Sequence, residues 1–333
     1  MLRSRTLRLV LVGVLAVAAV GLLLTFIPSN HYLVLPDRAR PTDPLVEIPG
    51  EESGGGNDGS GIYMVDVRVG RATMFERLFP GVHEGADLVP ERVINPEGVS
   101  DRQRRRSSLN QMSRSQLIAI TVALRELGRD VDIDAVGAEV VLVQPDAPAD
   151  GELEVGDVIV RAEGEDVSTT ADLRRAMSEL EPGDEVDLTV ERDDERLDLT
   201  LTTRASDTEP ERAVVGVQVQ NAEDFDFPVD IEIDAGSIGG PSAGLAFALD
   251  IVDELGDDVD GGRTIVATGE LTLDGDVLPI GGVRQKAIGA REAGADLFLV
   301  PDRNAAEARR ADAGVEIVAV SDFDEALSVL AAG

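Results

Sequence analysis

The feature that most limits the folds open to this chain is a glycine-rich turn that runs straight into an apolar helix. The segment Gly236-Ser237-Ile238-Gly239-Gly240-Pro241-Ser242-Ala243-Gly244 follows a strand-like stretch, Val229 to Ile233. After it, apolar residues at 245, 248, 249, 252 and 255 fall at helical spacing through Leu255. Glycines let backbone approach closely, and proline suits the start of a helix. The Ser242 hydroxyl then lies in the positive field of a helix N-terminus, which favours an alkoxide or an oxyanion. From this segment alone three readings stay open: a helix cap, a phosphate cradle or a nucleophile.

A second block narrows the choice. It reads Ala267-Thr268-Gly269-Glu270-Leu271-Thr272-Leu273-Asp274-Gly275, then Val277-Leu278-Pro279-Ile280-Gly281-Gly282-Val283-Arg284-Gln285-Lys286. A helix is predicted from there through Ala293, closed by Gly294. Of the 30 lysines and arginines, Lys286 is the single lysine. The positive helix end and burial both disfavour an ammonium in the first turn. Both push the side chain towards a neutral amine, which a general base requires and an arginine cannot supply.

Composition removes most rivals. The chain has 2 histidines, His31 and His83, both far upstream of Ser242. A Ser-His-Asp triad in this region is therefore excluded, as is an H-E-x-x-H metal site. Zero cysteines exclude disulfides, thiolate nucleophiles and cysteine-ligated metal. The single lysine is not in a G-K-[ST] loop, so there is no Walker A motif. A net charge of −34 with 3% aromatic residues argues against a nucleic-acid partner. No cofactor and no metal are expected.

The rest of the chain reads as follows. Arg3, Arg5 and Arg8 precede an uncharged apolar run, Leu9 to Ile27, ended by Pro28. Residues 1–28 are expected to form an uncleaved transmembrane signal anchor, N-terminus in the cytoplasm and the rest outside. A cleaved signal peptide is the competing reading. Residues 29–130 are expected to be an extracytoplasmic region with strands at His31–Leu35 and Tyr63–Val69. It holds a Gly/Ser/acid linker at 51–61 and a polar loop or interaction surface from Pro90 to Asn110. A helix is expected from Ser113 to Gly128.

Residues 131–206 alternate short strands and turns around one helix, with a hairpin at the end. Ala147-Pro148-Ala149, Leu153, Gly156-Asp157-Val158-Ile159 and Gly164 carry a resemblance to PDZ domains over this stretch. The resemblance implies a β-rich domain whose Gly156–Ile159 turn sets a strand beside a peptide groove. No glycine-rich carboxylate-binding loop is evident before Ala138-Glu139-Val140, so an internal peptide segment is an alternative ligand.

Residues 212–333 resemble the proteolytic domain of Lon proteases. Gly240-Pro241-Ser242-Ala243-Gly244 matches that family's nucleophile motif, and the stretch from Thr268 to Lys286 matches its base motif. The resemblance implies a ribosomal-protein-S5-domain-2-like α+β fold and a Ser242–Lys286 dyad. It implies further that Thr268 holds the lysine. Gly240, Pro241 and Ala243 are expected at the oxyanion turn, and Ile233, Asp234 and Ala235 as a strand that pairs with extended substrate. One departure is Gly239, where many relatives carry Asp or Asn; another is the acidic loop Asp257-Asp258-Val259-Asp260. The order anchor, PDZ, Lon-like domain resembles PDZ-containing Lon-like proteases of bacterial membranes. It implies an ATP-independent serine endopeptidase acting on flexible polypeptides, assembled as a homo-oligomer, in the family's case a ring such as a hexamer. Two alternatives from other classes are a PDZ-based membrane scaffold with an inactive protease domain and a small-molecule kinase-like phosphate binder.

Overall fold

The computed structural model describes residues 2–50, 60–94, 100–193, 195–256 and 258–332, the side chains of 2–10 excepted. The expected linker at 51–61 and Asp257 of the acidic loop thus lie largely outside the described residues. Helix α1 spans Leu2–Leu24. The apolar run was expected to continue to Ile27, but the helix stops three residues earlier, with Thr25 and Phe26 bonded back in a turn. Its uncharged part, from Leu9 to Leu24, rises about 24 Å, short of the roughly 30 Å hydrocarbon core. Among the described residues no helix is long and apolar enough to cross a membrane.

The region after α1 divides between two sheets. Strand β1 (Pro28–Pro36) precedes three short strands, β2 (Arg40–Pro41), β3 (Val46–Glu47) and β4 (Gly61–Met64), and then β5 (Val67–Thr73). The single strand expected over Tyr63–Val69 is therefore two, β4 and β5, broken at Val65 and Asp66. Helix α2 (Met74–Leu78), strand β6 (Asp87–Pro90) and helix α3 (Glu91–Ile94) follow. Strand β1 is the centre of a three-stranded antiparallel sheet between β5 and β6.

Helix α4 (Asp101–Glu126) replaces much of the loop expected from Pro90 to Asn110. Its start is set by a capping box, in which Ser100 accepts from the Gln103 N–H and the Gln103 side chain accepts from the Ser100 N–H. Its basic first turns masked the helical signal, which is apolar only from Met112 onwards. The buried residues Met112, Ile118, Ala119, Val122 and Ala123 mark the face that meets the core.

The central unit is β-rich. It contains β7 (Asp132–Val143), β8 (Val158–Ala162), β9 (Glu165–Asp166), α5 (Thr170–Met177), β10 (Glu185–Arg192) and β11 (Glu195–Thr202). Three more strands follow, β12 (Arg204–Ala205), β13 (Ala213–Val214) and β14 (Val217–Asp226). The sheet runs β11-β10-β8-β7-β14, with β9 on β8. The boundary expected between 206 and 212 thus falls inside one sheet, because β14 pairs with β7 from Val217↔Val143 to Asp226↔Asp132. Its core is aliphatic: Val140, Ile159, Val186, Leu188 and Val190 are buried.

The last unit comprises β15 (Glu232–Ile233), α6 (Gly244–Leu255), β16 (Thr264–Ala267), β17 (Glu270–Leu271), β18 (Val277–Leu278) and α7 (Val283–Ala293). It ends with β19 (Leu297–Pro301), α8 (Asp302–Arg310), β20 (Glu316–Val320) and α9 (Phe323–Ala331). Its sheet has the order β2-β4-β16-β19-β20, and β4, β16, β19 and β20 are parallel. Parallel strands need both faces covered, and alternate residues divide accordingly. Ile265, Ala267, Leu297 and Leu299 face α4, α6 and α9, while Val266, Phe298 and Val300 face α7 and α8. The architecture is mixed α/β rather than helices segregated from an antiparallel sheet. Two of the strands come from the N-terminal region, so residues 29–130 are no separate domain.

Candidate active site

Ser242 lies in the turn that enters α6, and its backbone is fixed from the sheet side. The Gly269 N–H and the Thr268 hydroxyl both donate to the Ser242 carbonyl, at 2.9 and 3.0 Å. Ser242 is not the helix cap: that position belongs to Ala243, and the Ser242 hydroxyl is left for other work. Lys286 reaches it from α7, whose N-cap Gly282 has φ 69°, a left-handed conformation that glycine adopts without strain. Lys286 Nζ lies 2.6 Å from Ser242 Oγ and 2.9 Å from Thr268 Oγ1. Ser242, Lys286 and Thr268, expected together from sequence, therefore meet in one hydrogen-bonded cluster.

Burial decides the electrostatics. Lys286 is 2% exposed and Thr268 fully buried. Desolvation pulls the Lys286 ammonium down to about 7, against a smaller opposing pull from the Asp66 carboxylate. Near neutral pH a large fraction of Lys286 is then a free amine, able to accept a proton from the hydroxyl it touches.

The rest of the turn departs from expectation. The Gly240 N–H was expected at the oxyanion turn, but it donates to the carbonyl of Ser108 on α4, at 2.7 Å. Pro241 has no N–H; its carbonyl accepts from the Ser115 hydroxyl at 2.9 Å. Among the described residues the N–H groups of Ser242 and Ala243 make no hydrogen bond within the chain. Gly239 stands where a side chain has no room: a Cβ there would lie 2.3 Å from Ser108 Oγ and 3.1 Å from its carbonyl oxygen. The packing of α4 accounts for glycine at this position.

The expected substrate strand is in part occupied. Ile233 and Glu232 pair antiparallel with Val46 and Glu47, and the Asp234 N–H donates to the Leu45 carbonyl. Ala235 is buried in the core. One edge of this strand is thus taken by the chain's own β3. No local pattern signals this pairing, because the partner lies far upstream in a two-residue strand.

In the β-rich unit, Gly156, Asp157, Val158 and Ile159 form the turn into β8. The Asp157 carboxylate is buried and takes a two-pronged bond from the Arg192 guanidinium, at 2.7 and 2.6 Å. The expectation set the strand that leaves the Gly156–Ile159 turn beside the groove. That strand, β8, has neighbours on both sides, and the sheet's edges belong to β11 and β14. A cavity of about 1030 Å³ lies between α5 and the start of β14, lined by Ile159, Leu173, Met177, Val215, Gly216 and Val217 among others. Gly216 has φ 83°, and a Cβ there would lie 2.2 Å from Ala147 Cβ. The alternation Val215-Gly216-Val217-Gln218-Val219 was the available signal, overlooked because it follows the hairpin instead of opening the domain.

Comparison with known proteins finds two family matches, which divide ahead of β14. Residues 101–203 match the PDZ domain family, and residues 206–332 match the Lon protease (S16) C-terminal proteolytic domain. The chain is similar to the Lon protease of Rickettsia felis, 37% identical over 118 residues, covering 34% of this chain and 15% of that protein. It is similar also to the Lon protease of Roseiflexus castenholzii, 34% identical over 145 residues, covering 39% and 18%. The chain thus spans less than a fifth of the length of these two relatives. A Geobacillus thermodenitrificans protein solved in solution is 31% identical over 25% of this chain and 97% of its own, with a TM-score of 0.24. Residues 101–203 are thus similar to PDZ domains, and residues 206–332 to the proteolytic domain of Lon proteases.

Proposed function

We propose that this protein is a serine endopeptidase in which Ser242 is the nucleophile and neutral Lys286 its general base. The observation that carries this reading is the 2.6 Å contact between Nζ of the buried Lys286 and Ser242 Oγ. The amine takes the hydroxyl proton as Oγ attacks a peptide carbonyl. The oxyanion forms at the start of α6, where the N–H groups of Ser242 and Ala243 and the helix field stabilise it. Protonated Lys286 then delivers the proton to the leaving amine, and returns as base for the water that releases the acyl group. Thr268 accepts from Nζ and donates to the Ser242 carbonyl, so it holds the lysine and the serine in mutual register.

The cleavage is ATP-independent in this reading, since the chain has no Walker A lysine. Substrates are flexible polypeptides, with the cavity between α5 and β14 receiving a segment as an added strand. The membrane anchor in this reading is the whole apolar run from Leu9 to Ile27, α1 together with the turn that follows it, N-terminus cytoplasmic and catalytic domain outside. In support, Val17 and Phe26 are 74% and 77% exposed, a wasteful arrangement in water. Copies assemble as a homo-oligomer, in the manner of a ring. The test is hydrolysis of casein or a quenched peptide by the full chain without nucleotide. Ser242→Ala and Lys286→Arg should each reduce the rate by at least about a thousandfold. Full activity in Lys286→Arg would remove the lysine from the chemistry, because guanidinium cannot act as the base.

A further inference from the structure

The mechanism above leaves α4 without a role, yet this helix touches both the PDZ-like sheet and the nucleophile turn. Two adjacent residues divide the work. Arg114 reaches β14, where it bonds the Glu223 carboxylate at 2.7 Å and the Asn221 carbonyl at 3.3 Å. Neighbours on a helix point about 100° apart, so Ser115 faces elsewhere. Its buried hydroxyl donates to the Pro241 carbonyl at 2.9 Å, one residue before Ser242. One turn and more upstream, the Ser108 carbonyl receives the Gly240 N–H. Arg106 forms an ion pair with Glu154, just before the Gly156–Ile159 turn.

The contacts on the turn are close on every side. Gly239 and Gly244 both lack a Cβ where α4 passes: one at Gly244 would lie 2.8 Å from Ser115 Oγ. The turn therefore cannot shift towards α4, and two hydrogen bonds keep it from shifting away. Strand β14 is an edge of its sheet and lines the cavity beside α5.

We propose that Arg114 and Ser115 make α4 a positioning strut, through which strand β14 of the PDZ-like sheet fixes the nucleophile turn. Ser115 is a positioning residue: it acts on Ser242 through Pro241 and touches no reacting atom. A turn released from Ser115 keeps Lys286 buried but lets Ser242 Oγ wander from the line of attack, so turnover falls while binding does not. The inference rests on the endopeptidase reading.

The test uses the full chain and one quenched peptide. Ser115→Ala should lower kcat about tenfold and leave KM within about twofold, as expected for loss of one orienting hydrogen bond. The acid limb of the rate profile should stay where the wild type has it. A merely structural defect would admit water to Lys286, raise its pKa and move that limb upwards. Arg114→Leu should lower kcat in the same sense, and the double variant should be no worse than about the lower single, since both cut one connection. Independent, multiplying effects would overturn the strut, as would an unchanged kcat in Ser115→Ala or an acid limb that shifts with it. A second variant guards against misfolding: Gly239→Ala, which presses against Ser108, should show the same kcat loss with an unmoved limb. A wild type that cuts no peptide would sink the endopeptidase reading itself, a result distinct from a working enzyme indifferent to Ser115.

Discussion

Lys286 and Asp250 are two buried ionisable residues of one domain, and burial moves them in opposite directions. Lys286 falls to about 7 and Asp250 rises to about 8, in the second case with the like charges of Glu254, Asp43 and Asp253 adding to desolvation and the Thr42 bond opposing it. Geometry supports a neutral Asp250. The Thr42 hydroxyl lies 2.6 Å from Asp250 Oδ1 and 2.8 Å from the Ile62 carbonyl, and it has one proton for two acceptors. A protonated Asp250 resolves this by donating to Thr42, which donates to Ile62. The folded state then binds more protons than the unfolded state between about 4 and 8, so the Asp250 penalty grows as pH rises through that window. Asp250→Asn should raise thermal stability over the wild type by about 2 kcal/mol near pH 9, with the gap closing towards pH 5. Melting curves across that range check it; a gap independent of pH would mean that Asp250 is ionised throughout. The Lys286 sign is opposite: its folded form binds fewer protons between about 7 and 10.5, so its contribution improves as pH rises through that window. At this scale the contact cluster was legible, because Ser242, Thr268 and Lys286 sit in compact motifs with helix starts on either side. Ser115 was not: its bond to Pro241 spans 126 positions, and nothing local in a helix of mixed residues marks one serine as a long-range donor.

Elements with strong local signals follow the sequence. Helices α5, α6 and α7 and the β10–β11 hairpin lie where periodicity and glycine stops put them. The first half of α4 and all of β14 do not, for two reasons. Arg104, Arg105 and Arg106 hide a helix whose start depends on the Ser100–Gln103 box. Strand β14 belongs to a sheet whose other members precede it, so its partner could be known only from the fold. The Asp157–Arg192 pair shows what such distant pairing is worth. Asp157 is fully buried, and Arg192 on β10 satisfies both its oxygens. Arg192→Leu should destabilise the protein by about 3 kcal/mol, by leaving a buried carboxylate uncompensated. Chemical denaturation measures the loss; a change under about 0.5 kcal/mol would show that water replaces the guanidinium at no cost.

For the whole molecule, the N-terminal region proves to be part of the unit that holds Ser242 and Lys286. Strand β4 completes the parallel sheet beside β16, β3 covers one edge of β15, and α4 lies on α6. Such long-range assembly is invisible to periodicity, which read residues 29–130 as a separate stretch. It places the PDZ-like sheet and the Ser242–Lys286 contact in one connected structure. The central claim is that Lys286 is a neutral base at working pH, and the chain offers a direct way to observe it. Lys286 is its single lysine, so a protein grown with lysine bearing an NMR-active side-chain nitrogen gives one Nζ signal. That signal should titrate with a midpoint near 7, in step with the acid limb of peptide hydrolysis. A midpoint near the ordinary lysine value of 10.5 would contradict the account.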